Sequence, residues 1–276
     1  ADIFPDIKAI QQQFHLLLRT VPSGGLILAP SEDDDVNEVL HQGCWAPVAR
    51  VGGKVVRKPV QLDTGEHWCV AQTSRDDTFE ILLNDESQGT VSWSLTGAHN
   101  RSNALNAIAA ARHVGVPVAV SIAALNQFVG VKRRMEVIFE DPHTVIYDDF
   151  AHHPTAIRST LQGLRDAASA DELIAIIEPR THTMSLGTLQ SDLATCCAAA
   201  DRVIWFRGDN ITWDLYQLAQ DCVIDARVED DIERLIDSLL AMPALNGDRR
   251  RHLVIMSNGA FGGIYKNIVR QFEARA

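Results

Sequence analysis

What the chain lacks narrows it first. No apolar run reaches the eighteen or so residues of a membrane-spanning helix, and the opening Ala1-Asp2-Ile3-Phe4-Pro5 has neither an initiator Met nor the basic-then-apolar layout of a secretion signal. The five cysteines are odd in number and none stands in a C-x-x-C pair, which argues against a metal–thiolate site and for a reduced, cytoplasmic setting. Positive charge is scarce: a formal net charge of −11 excludes a general nucleic-acid binder. A phosphate loop of the form G-x-x-x-x-G-K-[ST] is also missing, because Lys54 after Gly52-Gly53 has neither the spacing nor the hydroxyl.

What is present fits a globular protein, and 276 residues suffice for two domains that each bury a core. Residues 5–20 carry Ile7, Ile10, Phe14, Leu17 and Leu18 at helical spacing, and Leu26-Ile27-Leu28-Ala29 reads as a buried strand. The acidic run Ser31-Glu32-Asp33-Asp34-Asp35 suits a helix N-terminus. Between Trp45 and Leu95 short β-rich segments predict an antiparallel flap, with Asn84-Asp85-Glu86-Ser87-Gln88-Gly89 as a hairpin turn. An alanine-rich helix follows Gly97, and another spans 118–128. Beyond Thr155 strands and helices alternate: strands at 173–177, 203–206, 222–224 and 253–256, helices at 156–168, 190–200, 213–220, 232–242 and 263–274. Continuous apolar strands in that alternation predict a doubly wound, mostly parallel, Rossmann-like α/β sheet. The domain boundary is placed between 1–135 and 136–276.

One stretch organises the whole. Thr144-Val145-Ile146-Tyr147 reads as a buried strand that delivers Asp148, Asp149, His152 and His153 onto a turn before Pro154 starts a helix. In an open α/β sheet ligands sit at such strand ends. Asn100 and Asn103 are neighbours on one helix face and match the donor and acceptor edge of adenine, or they cap the helix. Lys132-Arg133-Arg134 offers cations to phosphate oxygens, or is a solvated surface cluster. Arg249-Arg250-Arg251, after the turn Asn246-Gly247-Asp248, reads as a solvated loop. Glu178-Pro179-Arg180-Thr181-His182-Thr183-Met184 gathers charge and hydroxyls after a strand, and Ser257 to Ile264 is a glycine-rich turn that either presents N–H groups to an anion or is simply tight.

In this order and spacing the motifs resemble the Mur ligase family, the ATP-dependent amide-bond-forming enzymes of peptidoglycan assembly. The resemblance rests on Gly97-Ala98-His99-Asn100-Arg101-Ser102-Asn103 with Ala109-Ala110-Ala111, on Arg133-Arg134-Met135-Glu136, and on Asp148-Asp149-Phe150-Ala151-His152-His153-Pro154-Thr155; it covers essentially the whole chain. Glu178-Pro179-Arg180 with Thr183-Met184, the Met256 to Ile264 run, and Ala110 to Val116 resemble the branch that joins the murein tripeptide L-alanyl-γ-D-glutamyl-meso-diaminopimelate to UDP-N-acetylmuramate in recycling. The resemblance implies the second half of a central ATPase domain followed by a C-terminal Rossmann-like domain. It implies ATP and Mg2+ as cofactors, with most magnesium ligands and the phosphate loop in a missing N-terminal part of the same enzyme; no metal ligand is expected in this chain. By resemblance Asn100 and Asn103 hold adenine, Arg134 contacts the phosphates and Asp149 takes the ribose hydroxyls. Arg134, His152 and Arg180 are the implied catalytic set, and His152, His153, Arg180 and Asn258 the implied substrate contacts. Two alternatives stay open: an L-alanine-adding ligase, or a fragment that binds nucleotide or peptide and turns over nothing.

Overall fold

Aspartate caps set where several helices start. Asp6 accepts from Ala9 N–H at 2.8 Å to open α1 (Ile7–Leu18), and Asp33 accepts from Val36 N–H at 2.9 Å to open α2 (Asp34–His41), in the acidic run expected to do so. The computed structural model describes residues 4–53, 60–73, 77–93, 95, 97–180, 190–209 and 211–275. They form two units, Ala1–Val129 and Gly130–Ala276.

In the first unit β1 (Ile27–Pro30), β2 (Val48–Val51) and β3 (Asp63–Gln72) run parallel, and β4 (Thr78–Leu83) and β5 (Glu86–Ser92) continue the sheet antiparallel. Trp68, Phe79, Ile81 and Val91 pack on Leu105 and Ile108 of α3 (Ala98–His113), with Ile122 of α4 (Val118–Asn126) closing the cluster. The hairpin turn is tighter than the sequence suggests. Asn84 and Asp85 take the left-handed region (φ 52° and 65°) and Glu86 already pairs with Leu83, so Glu86 to Gly89 are strand. Asn and Asp tolerate that conformation, and a two-residue left-handed turn matches the strand twist.

The second unit is built on β6 (Glu136–Glu140), β7 (Thr144–Asp149), β8 (Glu172–Ile177), β9 (Arg202–Phe206), β10 (Asp225–Glu229) and β11 (Arg251–Met256), in the spatial order β10-β9-β8-β11-β7-β6. Only β6, an edge strand the sequence did not signal, is antiparallel. One face packs on α5 (Pro154–Ala167), α6 (Gln190–Cys196) and α7 (Leu215–Asp221), through Ile157, Leu161, Leu193 and Leu218. The other packs on α8 (Ile232–Leu240) and α9 (Ile264–Glu273), through Leu235, Leu239 and Ile268. This is the doubly wound sheet that the alternation predicts.

Two expectations are corrected. The strand expected at 222–224 lies at Asp225–Glu229, because α7 extends to Asp221 with Cys222 as its C-cap, and β10 pairs with β9 in the register Asp225↔Arg202. Of Arg249-Arg250-Arg251, Arg249 is exposed and Arg250 half-buried in the loop as expected, but Arg251 is not solvated. Arg251 begins β11 and is 9% exposed, and its Nε donates to Glu172 at 2.5 Å, since a buried guanidinium needs an anionic partner.

Candidate active site

The chain runs from β7 to β8, outward to β9 and β10, and returns as β11 between β8 and β7. Met256 therefore sits in register with both Asp149 and Ile177, which brings the loops starting at Phe150, Glu178 and Ser257 side by side at the carboxyl ends of three parallel strands. Main-chain bonds extend the ladder past the strands: Glu178 N–H to Met256 O at 3.0 Å and Ser257 N–H to Asp149 O at 3.1 Å.

The two aspartates face inward. Asp149 is 2% exposed and its carboxylate accepts Met135 N–H at 2.9 Å and Ala151 N–H at 2.8 Å. It clamps two stretches of backbone at the start of the loop after β7. Asp148, also buried, meets Arg133 Nε at 3.2 Å; burial pushes its carboxyl up and the guanidinium pulls it back. Arg133 Nη2 donates to Ser257 O at 2.6 Å, Gly259 O at 2.9 Å and the Tyr265 hydroxyl at 3.1 Å. The motif reading chose Arg134 and passed over Arg133, and no local signal marks Tyr265, which lies 132 positions further on.

Arg134 is exposed, its guanidinium 5.4 Å from the centre of the Phe150 ring, and among the described residues it makes no ion pair. The two histidines separate. His152 Nδ1 donates to Phe150 O at 2.8 Å; a carbonyl can only accept, so Nδ1 carries a proton, and in the uncharged form of the ring the lone pair is on Nε2. His153 Nδ1 accepts Thr155 N–H at 3.4 Å and serves as the N-cap of α5. Glu178 is buried and accepts from Ser257 Oγ at 2.5 Å, with Arg180 Nη1 at 3.8 Å from its other oxygen. The Arg180 guanidinium lies against Gly259 so closely that a Cβ there would stand 2.6 Å from Nη1. Thr181, His182, Thr183 and Met184 lie outside the described residues.

In the glycine-rich turn Phe261, Gly262 and Gly263 all have positive φ (45°, 55° and 80°), and Gly263 N–H closes on Ala260 O at 2.9 Å. The tight-turn reading holds there. Asn258, within the same turn, buries its Oδ1 with no hydrogen-bond donor among the described residues. Beside the turn a cavity of about 730 Å3 opens among Glu178, Arg180, Arg207, Asp209, Asp231 and Glu233, with Phe206 and Ile232 as its apolar wall. Arg207 and Asp209 follow β9 and were not singled out from sequence.

In the first unit Gly97 is the N-cap of α3, so Asn100 and Asn103 lie within the helix rather than capping it; Asn100 is half-buried and Asn103 exposed. Among the described residues no group of three or more His, Cys, Asp or Glu side chains is placed to hold a metal ion. No helix among the described residues is long and apolar enough to cross a membrane.

The second unit is thus a doubly wound α/β domain whose carboxyl edge, where open α/β sheets bind ligands, carries buried aspartates, exposed arginines and an imidazole. Residues 133–258 match the Mur ligase glutamate ligase domain, and the chain belongs to the Mur ligase family. It is 41% identical over its whole length to the UDP-N-acetylmuramate–L-alanyl-γ-D-glutamyl-meso-2,6-diaminoheptandioate ligase of Escherichia coli (strain K12), and spans 58% of that protein. A crystal structure of a murein peptide ligase from Psychrobacter arcticus 273-4 superposes on 97% of the chain with a TM-score of 0.69 and 34% identity, the chain covering 55% of it. The UDP-N-acetylmuramate–L-alanine ligase of Caldicellulosiruptor bescii is 29% identical over 74% of the chain, which covers 43% of that protein.

Proposed function

We propose that this chain forms part of an ATP-dependent ligase that joins L-alanyl-γ-D-glutamyl-meso-diaminopimelate to UDP-N-acetylmuramate in peptidoglycan recycling. The single observation that carries the choice of acceptor is the cavity beside the glycine turn. It sets Arg180 and Arg207 against Glu178, Asp209, Asp231 and Glu233. Charges of both signs suit a peptide with a free amine and several carboxylates, and a volume of about 730 Å3 exceeds what L-alanine alone needs. The 41% identity to a tripeptide-adding relative supports the same choice.

In this proposal Gly130–Ala276 receives the peptide and Ala1–Val129 is part of the ATP-binding domain, with Asn100 and Asn103 toward adenine. The rest of the enzyme, including the phosphate loop and most magnesium ligands, belongs to the length that the relatives have and this chain does not cover. Bound ATP supplies the phosphoryl group that turns the muramoyl carboxylate into an acyl phosphate. Arg134, exposed and without an anionic partner among the described residues, steadies phosphate oxygens as charge builds up. His152 Nε2 takes the proton from the peptide amine as that amine attacks the acyl carbon and phosphate leaves. Arg180 and the Asn258 side chain orient the peptide, and Asp149 keeps Met135 and Ala151 in place around them. An ATP-dependent reaction of this kind belongs in the cytoplasm.

The test is ADP release and amide formation by the enzyme at the full length of its relatives, with UDP-N-acetylmuramate and either the tripeptide or L-alanine offered. Stoichiometric joining of the tripeptide is expected. Acceptance of L-alanine alone would transfer the chain to the alanine-adding branch, and absence of joining with either would sink the ligase proposal.

A further inference from the structure

Arg133 takes no part in the chemistry above, but more of the site's geometry converges on it than on any residue that does. It is held on every side. Its N–H donates to Glu136 Oε2 at 2.8 Å, and its carbonyl accepts Phe150 N–H at 2.8 Å. Its guanidinium reaches Asp148 through Nε and Ser257 O, Gly259 O and Tyr265 through Nη2. The same guanidinium lies 5.2 Å from the Phe150 ring centre and 5.5 Å from that of Tyr265.

Arg133 and Met135 both sit in the left-handed region, at φ 59° and 51°, which non-glycine residues adopt only when the surroundings hold them there. Arg134, between them, is thereby aimed onto Phe150, whose own amide Arg133 fixes. The turn that Arg133 grips by the Ser257 and Gly259 carbonyls is the one whose Gly259 Cα supports Arg180 and whose Asn258 carries the unpartnered oxygen. We infer that Arg133 is a positioning residue that couples the phosphate-side Arg134 to the peptide-side Arg180 and Asn258 through one half-buried guanidinium fork; the inference rests on the ligase proposal for what those groups bind.

Arg133→Lys is the direct test, because a lysine keeps the charge but cannot fork to a carboxylate and three further oxygens. In the enzyme at its relatives' full length, Arg133→Lys is expected to lower kcat about 30-fold with KM for ATP and peptide within about twofold, as misplacement of bound groups does. Tyr265→Phe, which removes a single acceptor, is expected to lower kcat about threefold. Amide hydrogen exchange gives a second readout. In Arg133→Lys the Phe150 and Gly259 amides exchange faster while those of β8 and β11 keep the parent rate. Parent turnover in Arg133→Lys overturns the inference. So does a loss of turnover matched by a lower unfolding midpoint and faster exchange throughout the sheet. If the parent enzyme forms no amide bond, the ligase proposal has failed, and the exchange pattern alone still decides whether Arg133 holds the two loops.

Discussion

The two ends of the second sheet handle the same residue types in opposite ways. At the amino ends of the strands Arg251 and Glu172 meet at 2.5 Å, each side chain 11% exposed. Close by, His252 accepts the Tyr147 hydroxyl's hydrogen bond at Nδ1 and donates from Nε2 to Asp171, both at 2.9 Å. These networks close on themselves. At the carboxyl ends the inner layer is equally closed, with Arg133 on Asp148 and Asp149 on two amides, but it supports an outer layer that stays accessible: Arg134, Arg180 and His152 Nε2. Charges joined to each other hold a fold, and charges held in place but turned outward are available to a ligand.

The comparison breaks most visibly at the amino end. Glu172→Ala strands the Arg251 guanidinium in the interior and is expected to lower the unfolding free energy from urea denaturation by about 3–5 kcal/mol, with turnover per folded molecule unaltered. At the carboxyl end His152→Ala is expected to slow amide formation about 100-fold at unchanged unfolding midpoint. Gly259→Ala keeps its backbone conformation but drives a Cβ into Arg180, so kcat/KM for the peptide should fall about tenfold; a parent-like value would show that Arg180 does not need that seat. His153→Ala removes a long capping bond and should cost about 0.5 kcal/mol, with a smaller effect on turnover than His152→Ala.

One effect is shared by both ends. Burial pushes Tyr147 and Tyr265 up to about 12 from the ordinary 10.0. A group whose value is raised on folding adds stability below its unfolded value and loses it as pH climbs through the folded one. The tyrosines' contribution to the unfolding midpoint should therefore be constant below pH 10 and be lost between 10 and 12, and absorbance at 295 nm should show these two phenols ionising late.

Much of this was legible in the residues. The β-branched run into Asp148-Asp149, the proline at the start of α5 and the strand–helix alternation led to the doubly wound sheet, because burial on both faces requires continuous apolar strands. The Mur ligase motifs named the family. Other features depend on partners distant in sequence. Arg133 and Arg134 are indistinguishable as letters; β7 and β11 decide that one turns in and the other out. Arg251 reads as a loop cation until Glu172, 79 positions away, is brought beside it. β10 escaped detection because an edge strand of alternating Ala226, Arg227 and Val228 has weaker periodicity than the apolar Cys222-Val223-Ile224 before it.

Turnover and unfolding midpoint of Arg134→Ala, measured on one sample of the enzyme at its relatives' full length, test the central contrast most directly. An outward charge that serves a ligand predicts about a 100-fold loss of tripeptide ligation with the midpoint nearly unchanged, since the exposed Arg134 touches the closed layer only by lying over the Phe150 ring. Parent-level ligation, or a loss that tracks a lowered midpoint, would contradict it and return Arg134 to the fold.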